Sequence, residues 1–291
     1  MKKILVPVDF TTTSDNAIDY AIQLVAKTGG EIRLLHAVDD PFFTENPDMD
    51  FNSDSARGVE FPSDPLYKIM TEAKLEMENL VNNTKAKITS ASQEVTLSQA
   101  IYNGFAEDII LQEAGRFHPQ LIVMGSHGHK RLDRVFFGSV TQGIIRNAHF
   151  PVLAIPVDYA FREIQDVVYM TDLMDEDIFS IGKLLNLFSP FSIKLHVTHF
   201  SNSDDPSTEE EQLFKLNEQV MRDHKEVKIE YEMVDARILR DAYQQYIDNK
   251  NIGLIALTTR KRSHFKRFFN AGTAVDALYH SHLPLLVFHQ E

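Results

Sequence analysis

Met124-Gly125-Ser126-His127-Gly128, followed after nine residues by Gly138-Ser139, is the stretch that decides how this chain is read. It is preceded by Leu121-Ile122-Val123-Met124, a run too short and too uniformly apolar for a surface helix, which predicts a buried strand of a parallel sheet. Glycines just past such a strand allow a sharp turn and let a ligand approach main-chain N–H groups with no Cβ in the way. Ser139 can then cap Val140-Thr141-Gln142-Gly143-Ile144-Ile145, whose unpaired N–H groups and dipole favour an anion. The pattern Gly-x2-Gly-x9-Gly-Ser occurs once and predicts a phosphate-binding loop.

Outward from the loop, strand-like runs at residues 4–8, 32–38, 95–101, 121–124 and 152–155 alternate with helical patterns, the mark of a parallel α/β sheet. The first helix is the clearest. After Thr13-Ser14, the residues Ala17, Ile18, Ala21, Ile22, Leu24 and Val25 share one broad face, and Gly29-Gly30 supplies a stop. Residues 66–81 and 106–117 carry similar patterns, so the first half reads βαβαβαβαβ.

With the loop, three further segments resemble the universal stress protein family in its ATP-binding branch: Lys3-Ile4-Leu5-Val6-Pro7-Val8-Asp9, Ile32-Arg33-Leu34-Leu35-His36-Ala37-Val38 and Pro151-Val152-Leu153-Ala154-Ile155-Pro156. The resemblance covers roughly the first half. It implies a Rossmann-like domain with an open five-stranded parallel sheet of order 3-2-1-4-5, which would place the ends of the first and fourth strands side by side where chain order reverses. The site it implies comprises Pro7, Asp9, Val38, Gly125, Ser126, His127, Gly128, Gly138, Ser139 and Val140. Asp9 would accept hydrogen bonds from the adenosine part of ATP, and Val38 would meet the adenine. Gly128, Gly138, Ser139 and Val140 would receive the phosphates, with Mg²⁺ held mostly through those phosphates.

The second half repeats the order. A shift of 163 residues aligns Val6-Pro7-Val8-Asp9 with Tyr169-Met170-Thr171-Asp172 and His36 with His199; a shift of 133 aligns His149-Phe150-Pro151 with His282-Leu283-Pro284. The period shortens because residues 39–65 form an insertion with a briefer counterpart near residues 201–208. The glycines do not repeat: Gly125 becomes Thr258, Gly128 becomes Lys261, Gly138 becomes Ala271 and Ser139 becomes Gly272. Cβ atoms there would keep a pyrophosphate off the main chain. The expectation is two tandem domains, residues 1–158 with one ATP site and residues 166–291 without, joined by a linker at 159–165. The resemblance implies that the units pack as a pseudo-dimer. The apolar runs at 152–155 and 285–288 offer pairing edges, for an intramolecular pair or for a homodimer.

Composition sets limits. A formal charge of −13 and a pI near 5.4 argue against non-specific binding to nucleic acid or anionic membrane. The absence of cysteine excludes disulfides, thiolate zinc sites and cysteine nucleophiles, and favours a reducing compartment. Met1-Lys2-Lys3-Ile4 runs into a strand without a signal-peptide core, and no apolar run approaches the roughly 20 residues of a membrane span, so the expected location is cytoplasmic.

Other features have competing readings. Asp9 before Thr11-Thr12-Thr13 can cap a turn or the first helix as well as meet a ligand. Lys130, Arg131 and Arg134 suit phosphates or solvent alike, and His127 and His129 have no carboxylate partner recognisable in the sequence. On one strand, His196 and His199 would point to opposite faces and cannot share an ion. His280 and His282 flank an expected helix end, in packing or capping roles. Asp48-Met49-Asp50-Phe51-Asn52-Ser53-Asp54 imitates a calcium loop but has Ser53 at the turn glycine and Val59 at the bidentate glutamate, so the acidic insertion reads as a mobile excursion. Residues 208–211 read as a helix start.

Three functions compete: an ATP-binding stress-response regulator with an unknown protein partner, a slow ATPase or phosphotransferase using the same loop, and an interaction module acting through the second unit. Against an enzyme, the chain has no GxxxxGK[ST] and no kinase HRD or DFG motif. For the module, the basic segment at 260–267 interleaves charge with phenylalanine, which suits an acidic partner or RNA if its rings do not turn inward.

Overall fold

The computed structural model describes residues 3–39, 65–88, 94–126, 137–157, 159–201, 203–235, 239–259 and 282–289. Most of the acidic insertion, the loop segment holding His127, Gly128, His129, Lys130, Arg131 and Arg134, the basic segment at 260–267 and His280 lie outside these residues.

The first half runs β1 (Lys3–Pro7), α1 (Thr12–Thr28), β2 (Gly30–Val38), α2 (Pro65–Ile88), β3 (Val95–Asn103), α3 (Ala106–Phe117), β4 (Leu121–Gly125), α4 (Ser139–Asn147) and β5 (Val152–Ile155). The second runs β6 (Asp166–Met170), α5 (Asp177–Leu187), β7 (Lys194–Ser201), α6 (Ser207–Asp223), β8 (Lys228–Asp235), α7 (Leu239–Lys250), β9 (Leu254–Thr259) and β10 (Leu285–His289). The helix expected over 66–81 continues to Ile88. Its apolar repeat thins after Val81, but Ile88 still packs on the core and Lys87 reaches Asp19 of α1 at 2.5 Å.

The strands form one ten-stranded sheet of order β3-β2-β1-β4-β5-β10-β9-β6-β7-β8. Each half is thus a parallel five-stranded sheet of order 3-2-1-4-5, as the family resemblance implies. The registers carry the internal repeat: Ile4 pairs with Ile32 and Leu121, and Val167 with their counterparts Leu195 and Leu254. The two halves meet through β5 and β10, the apolar strands expected as pairing edges. They run antiparallel, with Leu153 opposite Leu286 and Val152 opposite Val287.

Helices cover both faces, so strand residues are buried whichever way they point. Ile4 and Val6 enter one core with α1, α2, α5 and α6, whereas Leu5 enters the other with α3, α4 and α7. This explains why β4 reads as uninterrupted Leu-Ile-Val-Met rather than as an alternation. Residues 159–165 carry no helix or strand, yet Tyr159 and Ile164 are buried, and Tyr20 of α1 meets Phe161 edge-on at 5.0 Å between ring centroids. The segment is a packed strap across the two halves.

His289, ending β10, donates Nε2–H to the Ile145 carbonyl of α4 at 2.7 Å, and burial holds its pKa below the ordinary 6.5. Because folding disfavours the charged ring, its stabilising contribution is complete above pH 6.5 and is lost as pH falls through the lowered folded value. Urea titrations across this range should therefore show His289→Gln losing stability on acidification less steeply than wild type, by up to about 1.4 kcal/mol per pH unit. Parallel pH profiles for the two proteins would remove His289 from the account.

Candidate functional site

The carboxyl ends of β1 and β4 lie side by side, and the turn after β1 is held in several ways. Val8 N–H donates to Leu35 O at 2.8 Å, and His36 donates Nδ1–H to Val8 O at 2.8 Å, which fixes the tautomer of that ring. Phe10 is in the left-handed region at φ 58°, a conformation that costs a non-glycine residue roughly 1 kcal/mol or more, with its ring 4.3 Å from that of His36. Leu173, with φ 60°, and His199, 2.9 Å from Thr171 O, repeat this turn in the second half. The strain therefore belongs to the fold, not to a ligand.

Asp9 Oδ1 accepts from Thr11 N–H at 3.2 Å and from Thr11 Oγ1 at 2.5 Å. Thr11, not Asp9, caps α1, its hydroxyl oxygen accepting from Ser14 N–H. Asp9 closes the turn with one oxygen only. The turn does not engage Oδ2, so capping and a ligand do not compete for the same atom.

Gly125 ends β4 at a point where an added Cβ would lie 2.5 Å from Thr13 Cγ2 and 3.1 Å from the Thr13 carbonyl carbon. Glycine is required here by the close approach of α1, which sequence reasoning missed because the contact joins segments far apart in the chain. Beyond it, Ser126 N–H donates to Ile155 O, and Gly138 N–H donates to Ser126 O, both at 2.8 Å. The second of these bonds draws the two ends of the loop together at a neck. Thr141 Oγ1 adds a 3.0 Å bond to Gly125 O.

The cap of α4 differs from expectation. Gly138 is the capping residue, with no side-chain capping bond, and Ser139 is the first helical residue. The first intrahelical bond is Gln142 N–H to Gly138 O, so the N–H groups of Ser139, Val140 and Thr141 precede it at the positive end of the helix. Gly138 adopts φ −58° and ψ 157°, open to any residue. Its backbone torsions do not require glycine. Val38 is buried at the end of β2, and its carbonyl accepts from Gly104 N–H at 3.0 Å.

Asp9, Gly125, Ser126, Gly138, Ser139 and Val140 thus lie on adjoining segments at one end of the sheet, with Pro7 ending β1 and Val38 ending β2. His127 and Gly128 lie outside the described residues.

At the equivalent place in the second half, polar side chains fill the space. Thr258, the counterpart of Gly125, has its hydroxyl 2.7 Å from both Tyr169 Oη and Ser180 Oγ. Tyr169 donates to Asp177 Oδ1 at 2.6 Å, Thr171 donates to Oδ2 at 2.5 Å, and Met174 N–H adds a bond to Oδ2 at 3.2 Å. Burial raises the pKa of Asp177 although these three bonds oppose the shift, and burial raises that of Tyr169 well above its ordinary value. In the first half, α1 meets bare backbone at Gly125. Here a closed hydrogen-bond network stands between α5 and β9.

His196 and His199 diverge as their spacing predicts: His196 meets Asp166 and Glu230 of the neighbouring strands, and His199 lies 3.6 Å from Glu209 of α6. Among the described residues, no helix is long and apolar enough to cross a membrane.

The model of the universal stress protein family matches residues 1–156. A universal stress protein of Methanocaldococcus jannaschii is 29% identical over 158 residues, which is 53% of this chain and 94% of that protein. One from Synechocystis sp. is 24% identical over 312 residues and aligns with 99% of this chain and 100% of its own length. The crystal structure of a universal stress protein from Archaeoglobus fulgidus superposes with a TM-score of 0.73 at 15% identity, covering 99% of this chain and 98% of that one, a likeness of fold across both halves. With more than half of its length matched by the family model, this chain belongs to the universal stress protein family.

Proposed function

We propose that the chain is a stress-response regulator that binds one molecule of ATP, in its first half, and that loading with nucleotide changes its affinity for a protein partner. The observation that carries this reading is the neck of the loop. Gly138 N–H bonded to Ser126 O sets the start of α4 beside the ends of β1 and β4, and Gly138 has torsions that do not call for glycine. A residue with no side chain in an unstrained capping position suits close approach of a phosphate, and the first-turn N–H groups of Ser139 and Val140 suit its charge. The Asp9 oxygen not used by its turn would accept from ribose, with Pro7, Val38, Gly125 and Ser126 lining the way and His127 and Gly128 completing the loop. Bound ATP would supply charge for Mg²⁺ to neutralise; the chain's own part is to position and enclose it.

The second half is proposed to hold no nucleotide, because the Thr258, Tyr169 and Asp177 network occupies the counterpart of the Gly125 contact. Within this reading, residues 1–158 form the binding domain and 166–291 the modified copy. The test is nucleotide content. Purified protein, denatured and resolved by chromatography, should release adenine nucleotide, and calorimetry with ATP and Mg²⁺ should give one site per chain. Two equivalent sites, or none at millimolar ATP, would end the proposal. Phosphate release over hours separates a binder from a slow ATPase: rates matching buffer support the binder.

A further inference from the structure

At the far end of the sheet, a different group of side chains is incomplete as a hydrogen-bonded set. His196, fully buried on β7, has Nε2 2.8 Å from Asp166 Oδ1 of β6. A carboxylate only accepts, so Nε2 carries the proton, and in the neutral ring Nδ1 then presents its lone pair. Among the described residues, Nδ1 is buried without a hydrogen-bond partner. It lies 3.3 Å from Glu230 Oε2 of β8, out of line for a hydrogen bond. Glu232, two residues on and therefore on the same face of β8, completes the group. One ligand atom each from His196, Glu230 and Glu232 fall within 4.8 Å of one another.

The same place in the first half is chemically satisfied. Arg33, the counterpart of His196, pairs with Glu113 at 2.7 Å and donates to Ser98 at 3.1 Å. Ser98 and Ala100 pair with Arg33 and Leu35 as Glu230 and Glu232 pair with His196 and Thr198. The second half has thus replaced a built-in cation and two neutral residues with an imidazole acceptor and two carboxylates. A cation is already drawn to it. Lys250 of α7 reaches both glutamates, with its ammonium 3.6 Å from Glu230 Oε2 and in contact with Glu232, while Lys194 pairs with Glu230 Oε1 at 2.7 Å.

We propose that His196 Nδ1, Glu230 and Glu232 form a binding site for a first-row divalent cation of the zinc class, which displaces the ammonium of Lys250. One nitrogen and two carboxylate oxygens suit zinc, whose ligands at about 2.1 Å stand about 3.4 Å apart in a tetrahedron, so the glutamates close inward by rotation once Lys250 leaves. Asp166 is the positioning residue, fixing the tautomer that exposes Nδ1, as carboxylates do behind metal-bound histidines. The ion would tie the edge strand β8 to β7.

The experiment is a calorimetric titration of the full chain, stripped with chelator, using zinc chloride. Wild type should bind one zinc, the Glu230→Gln/Glu232→Gln double variant at least about tenfold more weakly, and Lys250→Met at least about tenfold more tightly. The Lys250 arm separates this site from casual zinc capture by other histidines, which that substitution would leave unchanged. Should the double variant fail to fold, nitrogen NMR of wild type reads the same point: zinc must move the Nδ1 resonance of His196. The proposal is overturned by no binding in either wild type or Lys250→Met, by full retention in a folded double variant, or by an unmoved His196 resonance at zinc saturation.

Discussion

Gly138→Val should weaken ATP binding by roughly a hundredfold or more while leaving the protein folded. The phosphate reading gives the first-turn N–H groups of α4 to the ligand, and a charge-assisted bond of that kind contributes about 1.5–3 kcal/mol; losing two of them corresponds to a factor of at least about a hundred. An isopropyl group at the neck would stand where the phosphate must approach. The fold should tolerate it, because φ −58° and ψ 157° are ordinary for valine, and replacing glycine at a helix cap with a poor capping residue costs about 1 kcal/mol. Gly125 is the poorer probe. A Cβ there collides with Thr13, so Gly125→Ala would disturb α1 and confuse loss of binding with loss of structure. Calorimetry on the Gly138 variant with a thermal scan alongside decides the matter: unchanged affinity in a folded protein would remove the loop from the site.

Asp177→Ala carries the second large effect, on stability. Its carboxylate accepts from Tyr169, Thr171 and the Met174 N–H, and the residue is only 4% exposed, so alanine leaves buried donors unpaired together with a small void. Each unsatisfied buried polar group costs about 1–3 kcal/mol, and partial rearrangement brings the total to roughly 2–4 kcal/mol. Urea denaturation reads this loss, while ATP affinity in the first half should stay at its wild-type value. A change under about 0.5 kcal/mol would mean that water reaches the network and that the second half is open to solvent at this point.

The parallel strands were legible because a sheet covered on both faces writes itself as apolar runs, and the shifts of 163 and 133 residues recur in the strand registers. The neck of the loop was legible as glycines, though not the reason for each: Gly125 answers to Thr13, more than a hundred residues away, whereas the torsions of Gly138 do not call for glycine. The left-handed turn at Phe10 was hidden because phenylalanine gives no hint of positive φ, although the recurrence of His36 as His199 marked the place. The Tyr169, Asp177 and Thr258 network was hidden for another reason. Its members come from a strand, a helix start and a second strand, and each alone reads as an ordinary polar residue near an element end. His196 showed the limit of periodicity, which separated it correctly from His199 but could not say that Asp166 and Glu230 would flank it.

The antiparallel meeting of β5 and β10 sets each residue near its own counterpart, Leu153 opposite Leu286, as a two-fold axis between identical subunits would. Identical subunits are bound by that axis: a substitution made once appears twice, and a site abandoned on one side is abandoned on the other. Carrying both copies on one chain lifts the obligation. One copy can keep its glycines while the other puts side chains in their place, as Thr258 stands for Gly125, and because the pairing is intramolecular, diluting the protein should not separate the two.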